Sequence, residues 1–156
     1  MTIRFACDRD IPGMIDLLQQ VGAVHHQIRP DLFRAGAQKY DEAALNALLT
    51  DPNRPILAAE IEGKLVGYAF CILQITENDP VLCDRKVLYI DDLCVEETLR
   101  GQGIAGALYE RVLEYARELG CDAVTLNVWC GNDGAMKFYE KCGLKPQKIG
   151  METIIC

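Results

Sequence analysis

Apolar residues recur along this chain with two different periods, and the points where the period changes divide it into elements. Ile11, Met14, Ile15, Leu17, Leu18 and Val21 share one helical face, which predicts a helix covering a sheet. Asp8 or Asp10 can cap it, Pro12 sits in its first turn, and its expected end is about Gly22. Ile3–Ala6, just before, reads as a first strand. A second helix is predicted from about Asp41 to Leu49, with Ala44, Leu45, Leu48 and Leu49 facing inward. Between the two helices, His25 and His26 fall in a loop, and Arg29-Pro30 keeps the following chain extended.

The pattern then turns strand-like. Pro55–Ile61 and Lys64–Ile75 flank Glu62-Gly63, a tight hairpin signal, and should pair antiparallel. After the polar stretch Thr76–Arg85, the β-branched and aromatic content of Lys86–Val95 marks a central fourth strand. Ile104, Leu108, Val112, Tyr115 and Leu119 follow at helical spacing. Ala123–Val128 is a fifth strand, with Val124, Leu126 and Val128 on one face and Thr125 and Asn127 on the other. A strand, a helix of about seventeen residues and a parallel strand form a right-handed crossover, which binds ligands beyond the strands' carboxyl ends. Asn132 can cap a last helix, and Lys145–Ile155 gives a final strand. The expected fold class is α/β: a mixed, mainly antiparallel sheet with helices on both faces and a parallel unit of fourth strand, third helix and fifth strand.

Residues 1–156 are read as one domain, and a composition of 50% hydrophobic and 25% charged residues is that of a globular chain. The formal charge of −7, with no basic run, argues against nucleic acid and suits a cationic partner. The start of the chain lacks a basic segment followed by a long apolar one, and no apolar run would span a bilayer, so a cytoplasmic protein without membrane attachment is expected. The eight cysteines form no C-x-x-C pair and are expected to be reduced packing residues, with no metal site.

The chemistry concentrates where the fourth strand enters a glycine-rich turn. Gly101, Gly103 and Gly106 remove the side chains that would hold a ligand off the backbone, and the opening helix offers unpaired N–H groups and a favourable dipole to an anion. Gly101-x-Gly103-x-x-Gly106 formally matches the dinucleotide fingerprint, with Asp122 about twenty residues on. In that fold, however, the acid ends the second strand, whereas Asp122 precedes an apolar run and would start one.

Read as Leu93-x-Val95 followed by Arg100-x-x-Gly103-x-Ala105, the stretch resembles the acyl-CoA signature of the GCN5-related N-acetyltransferases. Asn132, Ala135, Phe138 and Tyr139, in the segment Asn132–Gly143, resemble that family's second CoA-contacting helix. The resemblance is clear over roughly residues 55 to 156. It implies acetyl-CoA as cosubstrate, with Arg100, Gly101, Gln102, Gly103, Ile104, Ala105 and Gly106 around the pyrophosphate. Leu93, Cys94 and Val95 would line the pantetheine arm, mainly through main-chain groups, and Asn132 would touch that arm, cap the helix, or do both.

Asp91 and Asp92 lie in an otherwise apolar strand, where a carboxylate must be paired or line a wet cleft. The resemblance points to Asp91 as base, directly or through water. In a regular strand the two would face opposite sides, so both could not enter one pocket. Tyr139 is the general-acid candidate, since a phenol of pKa about 10 stays protonated at neutral pH and can protonate a leaving thiolate. Cys94 and Cys142 have no His beside them in sequence, which favours direct transfer over an acyl-cysteine route. By resemblance, residues 25–40 form one wall of the acceptor pocket, giving His25, His26, Arg34 or Tyr40 access to substrate.

The expected function is therefore transfer of acetyl from acetyl-CoA to a primary amine of a small molecule. Acetylation of protein N-termini or lysines, and a non-catalytic acyl-CoA sensor, are the alternatives. Related domains are often dimers, so monomer and homodimer both stay open.

Overall fold

The computed structural model describes residues 1–156. Five strands, β1 Thr2–Phe5, β2 Ile56–Ile61, β3 Lys64–Thr76, β4 Arg85–Val95 and β5 Ala123–Leu126, form one sheet in sequence order. Neighbours are antiparallel except β4 and β5, which run parallel. The helices are α1 Ile11–Ile28, α2 Glu42–Leu49, α3 Ile104–Glu118 and α4 Asp133–Lys141.

Alternation along the strands divides the core in two. Leu57, Ala59, Ala69, Leu88 and Ile90 point to the face covered by Ile104, Leu108, Val112 and Ala116 of α3. Ile56, Ala58, Tyr68, Phe70 and Cys94 point to the other face, against Met14, Leu17 and Leu18 of α1 and Leu45 of α2. The expected mixed sheet with helices on both faces and a parallel β4-α3-β5 crossover is what forms. Glu62 and Gly63 take φ values of 50° and 79°, as a two-residue hairpin turn with matching twist requires. At the start of α1, buried Asp10 is gripped by Arg4 at 2.7 and 2.8 Å, tying β1 to the helix. Asp41 caps α2 by accepting from Ala44 N–H at 2.8 Å.

Four expectations are corrected. α1 does not stop near Gly22 but runs to Ile28, carrying His25 and His26 into its last turns. Gly22 is there for space rather than for a helix end, because a Cβ at that position would meet the Ala37 carbonyl oxygen at 2.9 Å. The final strand over Lys145–Ile155 does not form. Pro146 lacks an N–H, Gly150 interrupts the run, and Ile149, Met151, Ile154 and Ile155 all lie exposed with nothing to pack against. Nor are the cysteines mainly packing residues: Cys71 and Cys94 are buried, but Cys7, Cys83, Cys130 and Cys156 are exposed. Asp122 accepts from Lys86 N–H at 2.9 Å and anchors the start of β5, at the end of the β4–β5 pair remote from the glycine turn, so it has no ribose-binding role.

The fourth correction concerns β4. Its register with β3 passes from Phe70↔Asp92 to Cys71↔Ile90, so Asp91 has no opposite residue and forms a β-bulge. Ile90 and Leu93 both pack on the α3 side. The two aspartates between them therefore both lean toward α1 and α2, where each finds its partners.

Candidate active site

β4 and β5 pair only from Val87↔Ala123 to Ile90↔Leu126. Beyond that point β5 ends while β4 continues, so residues 91–95 have a free outer edge. Glu96 N–H donates to the Val66 carbonyl at 2.9 Å, which fixes the phase of the β3–β4 ladder. By alternation Cys94 faces β3, whereas Leu93 and Val95 turn their N–H and C=O groups to the open edge. Cys94 thus stands apart from the predicted trio: its side chain is in the α1-side core, with Sγ 3.7 Å from the Leu17 carbonyl. The free edge leads directly into the glycine turn.

That turn is built for close approach. Gly101 and Gly103 take φ values of 78° and 83°, a region closed to most side chains, and a Cβ added at Gly101, Gly103 or Gly106 would meet no protein atom within 4 Å. The first N–H of this stretch with a protein acceptor is that of Ala107, bonded to Gly103 O at 3.0 Å; those of residues 101 to 106 have none. A row of unpaired N–H groups on open space at the N-terminus of a fifteen-residue helix fits a pyrophosphate. Arg100 lies exposed beside it, its Nε 3.4 Å from the Val95 carbonyl oxygen. A cleft of about 620 Å³ lies between α1 and this turn, lined by Asp16, Glu96 and Glu97 together with Arg100.

The bulge positions two carboxylates. Asp91 Oδ2 accepts from Lys39 Nζ at 2.7 Å and from the Tyr40 hydroxyl at 3.2 Å. Asp92 Oδ2 accepts from the hydroxyl of fully buried Tyr68 at 2.7 Å. Burial pushes the Asp92 pKa up, although Tyr68 and the charges of Lys39 and His25 pull the other way. Tyr139, on α4, has its ring edge-on to Phe138 and Tyr109, and its hydroxyl has no protein partner. Burial, with Asp92 next in importance, holds the Tyr139 pKa well above the ordinary tyrosine value. The phenol therefore keeps its proton at neutral pH. Asn132 Oδ1 caps α4 by accepting from Ala135 N–H at 3.3 Å, which leaves its amide nitrogen free.

An aromatic wall is built around the segment between α1 and α2. Phe33 lies between His25, tilted against it at 5.0 Å, and Trp129, edge-on at 5.4 Å, and Tyr40 stacks on Phe70 at 5.7 Å. His26 Nδ1 lies 2.7 Å from the Phe33 carbonyl oxygen, so it holds the loop in place. Lys39, Tyr68, Phe33 and Trp129 escape sequence reasoning. Lys39 reads as an ordinary solvated loop lysine, and Tyr68 as one more core position in an apolar strand. Only Trp129, a lone tryptophan beyond a parallel strand, carries a sequence signal.

Sequence and structure comparisons agree with this geometry. The profile of the acetyltransferase (GNAT) family matches residues 23–144. An uncharacterized N-acetyltransferase of Methanocaldococcus jannaschii is 33% identical over 90 residues, which are 58% of this chain but only 38% of that protein's length. The crystal structure of a mutant of the BH1408 protein from Bacillus halodurans superposes with a TM-score of 0.96 at 32% identity, over 100% of both chains. An aminoglycoside N-acetyltransferase solved in complex with CoA shares the fold, with a TM-score of 0.72 at 15% identity over 99% of this chain and 100% of its own. The chain belongs to the acetyltransferase (GNAT) family, whose class is acetyl-CoA-dependent N-acyltransferase. No group of three or more His, Cys, Asp or Glu side chains gathers as a metal site would need, and no helix is long and apolar enough to cross a membrane.

Proposed function

We propose that this chain transfers acetyl from acetyl-CoA to a primary amine of a small cationic molecule by direct attack. The observation that carries the reading is the continuity of the free β4 edge, which includes Asp92, with the unpaired N–H groups of residues 101 to 106. The acetyl thioester supplies an activated acyl carbon. Main-chain groups of Leu93 and Val95 hold the arm that carries it, as a neighbouring strand would, and the N–H groups from Gly101 to Gly106, with Arg100, hold its phosphates.

The roles of the two aspartates then separate. Asp92, half-buried and without a cationic hydrogen-bond partner, is the better base for an incoming ammonium, directly or through water. Asp91, already engaged by a cation, binds positive charge. Sequence reasoning favoured Asp91 as base; the bulge, by turning both carboxylates inward, makes the exchange of roles available. Tyr139 gives its proton to the departing thiolate. The acidic pair, the aromatic wall and the net charge of −7 support a small cationic acceptor, as does the fold shared with an aminoglycoside N-acetyltransferase.

Release of CoA thiol with polyamines, aminoglycosides, lysine-like amines and N-terminal peptides tests this reading. Turnover limited to peptides would move the assignment to a protein acetyltransferase. Acetyl-CoA binding, seen as a thermal shift equivalent to about 2.7 kcal/mol at a hundredfold excess over Kd, without turnover on any amine would make it a sensor.

A further inference from the structure

The acceptor face already contains a primary amine. Lys39 Nζ lies 2.7 Å from Asp91 Oδ2, on the bulge that also presents Asp92. Its stem passes over the Tyr40 ring, with Nζ 5.4 Å from the centroid, and the side chain remains 47% exposed. Asp91 precedes by two residues, about 7 Å of extended strand, the Leu93 main chain that faces the acyl arm. The lysine belongs to the segment between α1 and α2, outside both helices, and a four-carbon stem can cover such a distance by changing rotamers. Lys86, by contrast, is tied to the Leu119 carbonyl at the far end of β4.

We propose that Lys39 is an internal acceptor, acetylated by this chain itself when no other amine occupies the site. The inference rests on the acetyltransferase reading above. The ammonium gives one proton to the Asp92 carboxylate, and the freed Nζ forms its bond to the acyl carbon as the carbon–sulfur bond breaks. The second proton released from nitrogen replaces the one that Tyr139 passes to the departing sulfur. The products are acetyl-Lys39, CoA thiol and one proton returned to solvent from Asp92.

The structure also supplies the restraint on this reaction. Burial disfavours the Lys39 charge, but the hydrogen bond and charge of Asp91 outweigh it, so the amine is held as ammonium until a base acts. Self-acetylation is therefore slow beside transfer to an acceptor that arrives with its amine unpaired. It also changes the site: a neutral acetyl-lysine no longer engages Asp91, whose carboxylate becomes available to a cationic acceptor.

The experiment is incubation of the whole chain with acetyl-CoA and no added amine, followed by mass spectrometry of proteolytic peptides over time. Lys39 should be acetylated about 10²-fold or more faster than exposed Lys145 and Lys148, and Tyr139→Phe should slow Lys39 alone. The Lys39 rate should not change on dilution, as a reaction within one molecule requires. Lys39→Arg keeps a cation at Asp91 and should show only the slow background. Equal rates at Lys39, Lys145 and Lys148 would overturn the proposal, as would a Lys39 rate unaffected by Tyr139→Phe. CoA release with the amine panel is run in parallel. Turnover of added amines without Lys39 acetylation removes this inference and leaves the enzymatic reading intact; absence of both removes the two together.

Discussion

Asp91 and Asp92 are adjacent in sequence and lean to the same side of the sheet, yet one is bound to a lysine and the other to a tyrosine. Lys39 Nζ is 2.7 Å from Asp91 Oδ2, and the Tyr68 hydroxyl is 2.7 Å from Asp92 Oδ2. A cation neutralises the first carboxylate; a neutral donor leaves the second, half-buried, with its charge. That asymmetry separates the expected behaviour of the two carboxylates.

Asp92→Asn should inactivate the protein without weakening it. The folded pKa of Asp92 lies above its ordinary value because burial disfavours the charge, with Asp91 adding to this and Tyr68, Lys39 and His25 opposing it. Between the unfolded pKa of about 3.9 and the folded one, the folded state binds more protons, so stability falls as pH rises through that window. At neutral pH the charge is a burden, and asparagine removes it while still accepting from Tyr68. Melting should be unchanged or higher, and turnover should fall by about 10²–10⁴-fold. The acid limb of kcat/KM in the unmodified protein should lie above the ordinary carboxylate range, because the base must be ionised. A lower melting temperature with activity retained would return the catalytic role to Asp91.

Tyr139→Phe should fold normally, since the hydroxyl has no protein partner to lose. A positioned general acid contributes about 10²–10⁴-fold, so the chemical step should slow by that range while acetyl-CoA affinity changes little. Single-turnover measurement separates this step from product release. Tyr139→Ala removes the ring's contacts with Phe138 and Tyr109 and should reduce stability as well. Full single-turnover activity in Tyr139→Phe would leave the ring a packing role only.

Gly106→Ala probes the phosphate cradle better than a change at Gly103. At Gly103 the φ of 83° strains any side chain, so a variant there confounds strain with space. Gly106 lies in the first turn of α3 with ordinary helical backbone, where alanine should stabilise by about 0.5–1 kcal/mol. The added methyl group projects into space clear of protein. A higher melting temperature without ligand, combined with a smaller acetyl-CoA shift, is the expected result; an undiminished shift would place the phosphates elsewhere.

Native alkylation should divide the thiols. Cys7, Cys83, Cys130 and Cys156 are exposed and should react. Cys71 and Cys94 are buried, with pKa values pushed up to about 12 by that burial, and should be protected until the chain unfolds. Labelling followed by peptide mapping reads this directly, and early labelling of Cys94 would mean that the α1 side of the sheet opens.

The features legible in the sequence are those written in local pattern. Helical and strand periods locate the elements, Glu62-Gly63 gives a turn, and three closely spaced glycines before an amphipathic helix give the turn with unpaired N–H groups. What escapes depends on partners distant in sequence. Gly22 looks like a helix stop until Ala37 is packed on it. The bulge at Asp91 arises because Phe70 and Cys71 span three residues of β4, and no local pattern records that mismatch. Lys39 gains its place through a carboxylate 52 positions away. The run from Lys145 to Ile155 has strand-like composition, but composition without a neighbour to pair with does not make a strand.

In the proposed function the glycine turn recognises its ligand through N–H groups that every residue except proline possesses. The non-glycine positions within it, such as Gln102 and Ala105, are therefore free to drift in sequence without loss of donor binding. In the same proposal, acceptor choice depends instead on side chains from two connections, the one between α1 and α2 and the one between β5 and α4. Each can change length or composition without moving a strand. Donor and acceptor halves are thus separately heritable, and descendants of one such chain can diverge widely in what they modify while keeping the same acyl source.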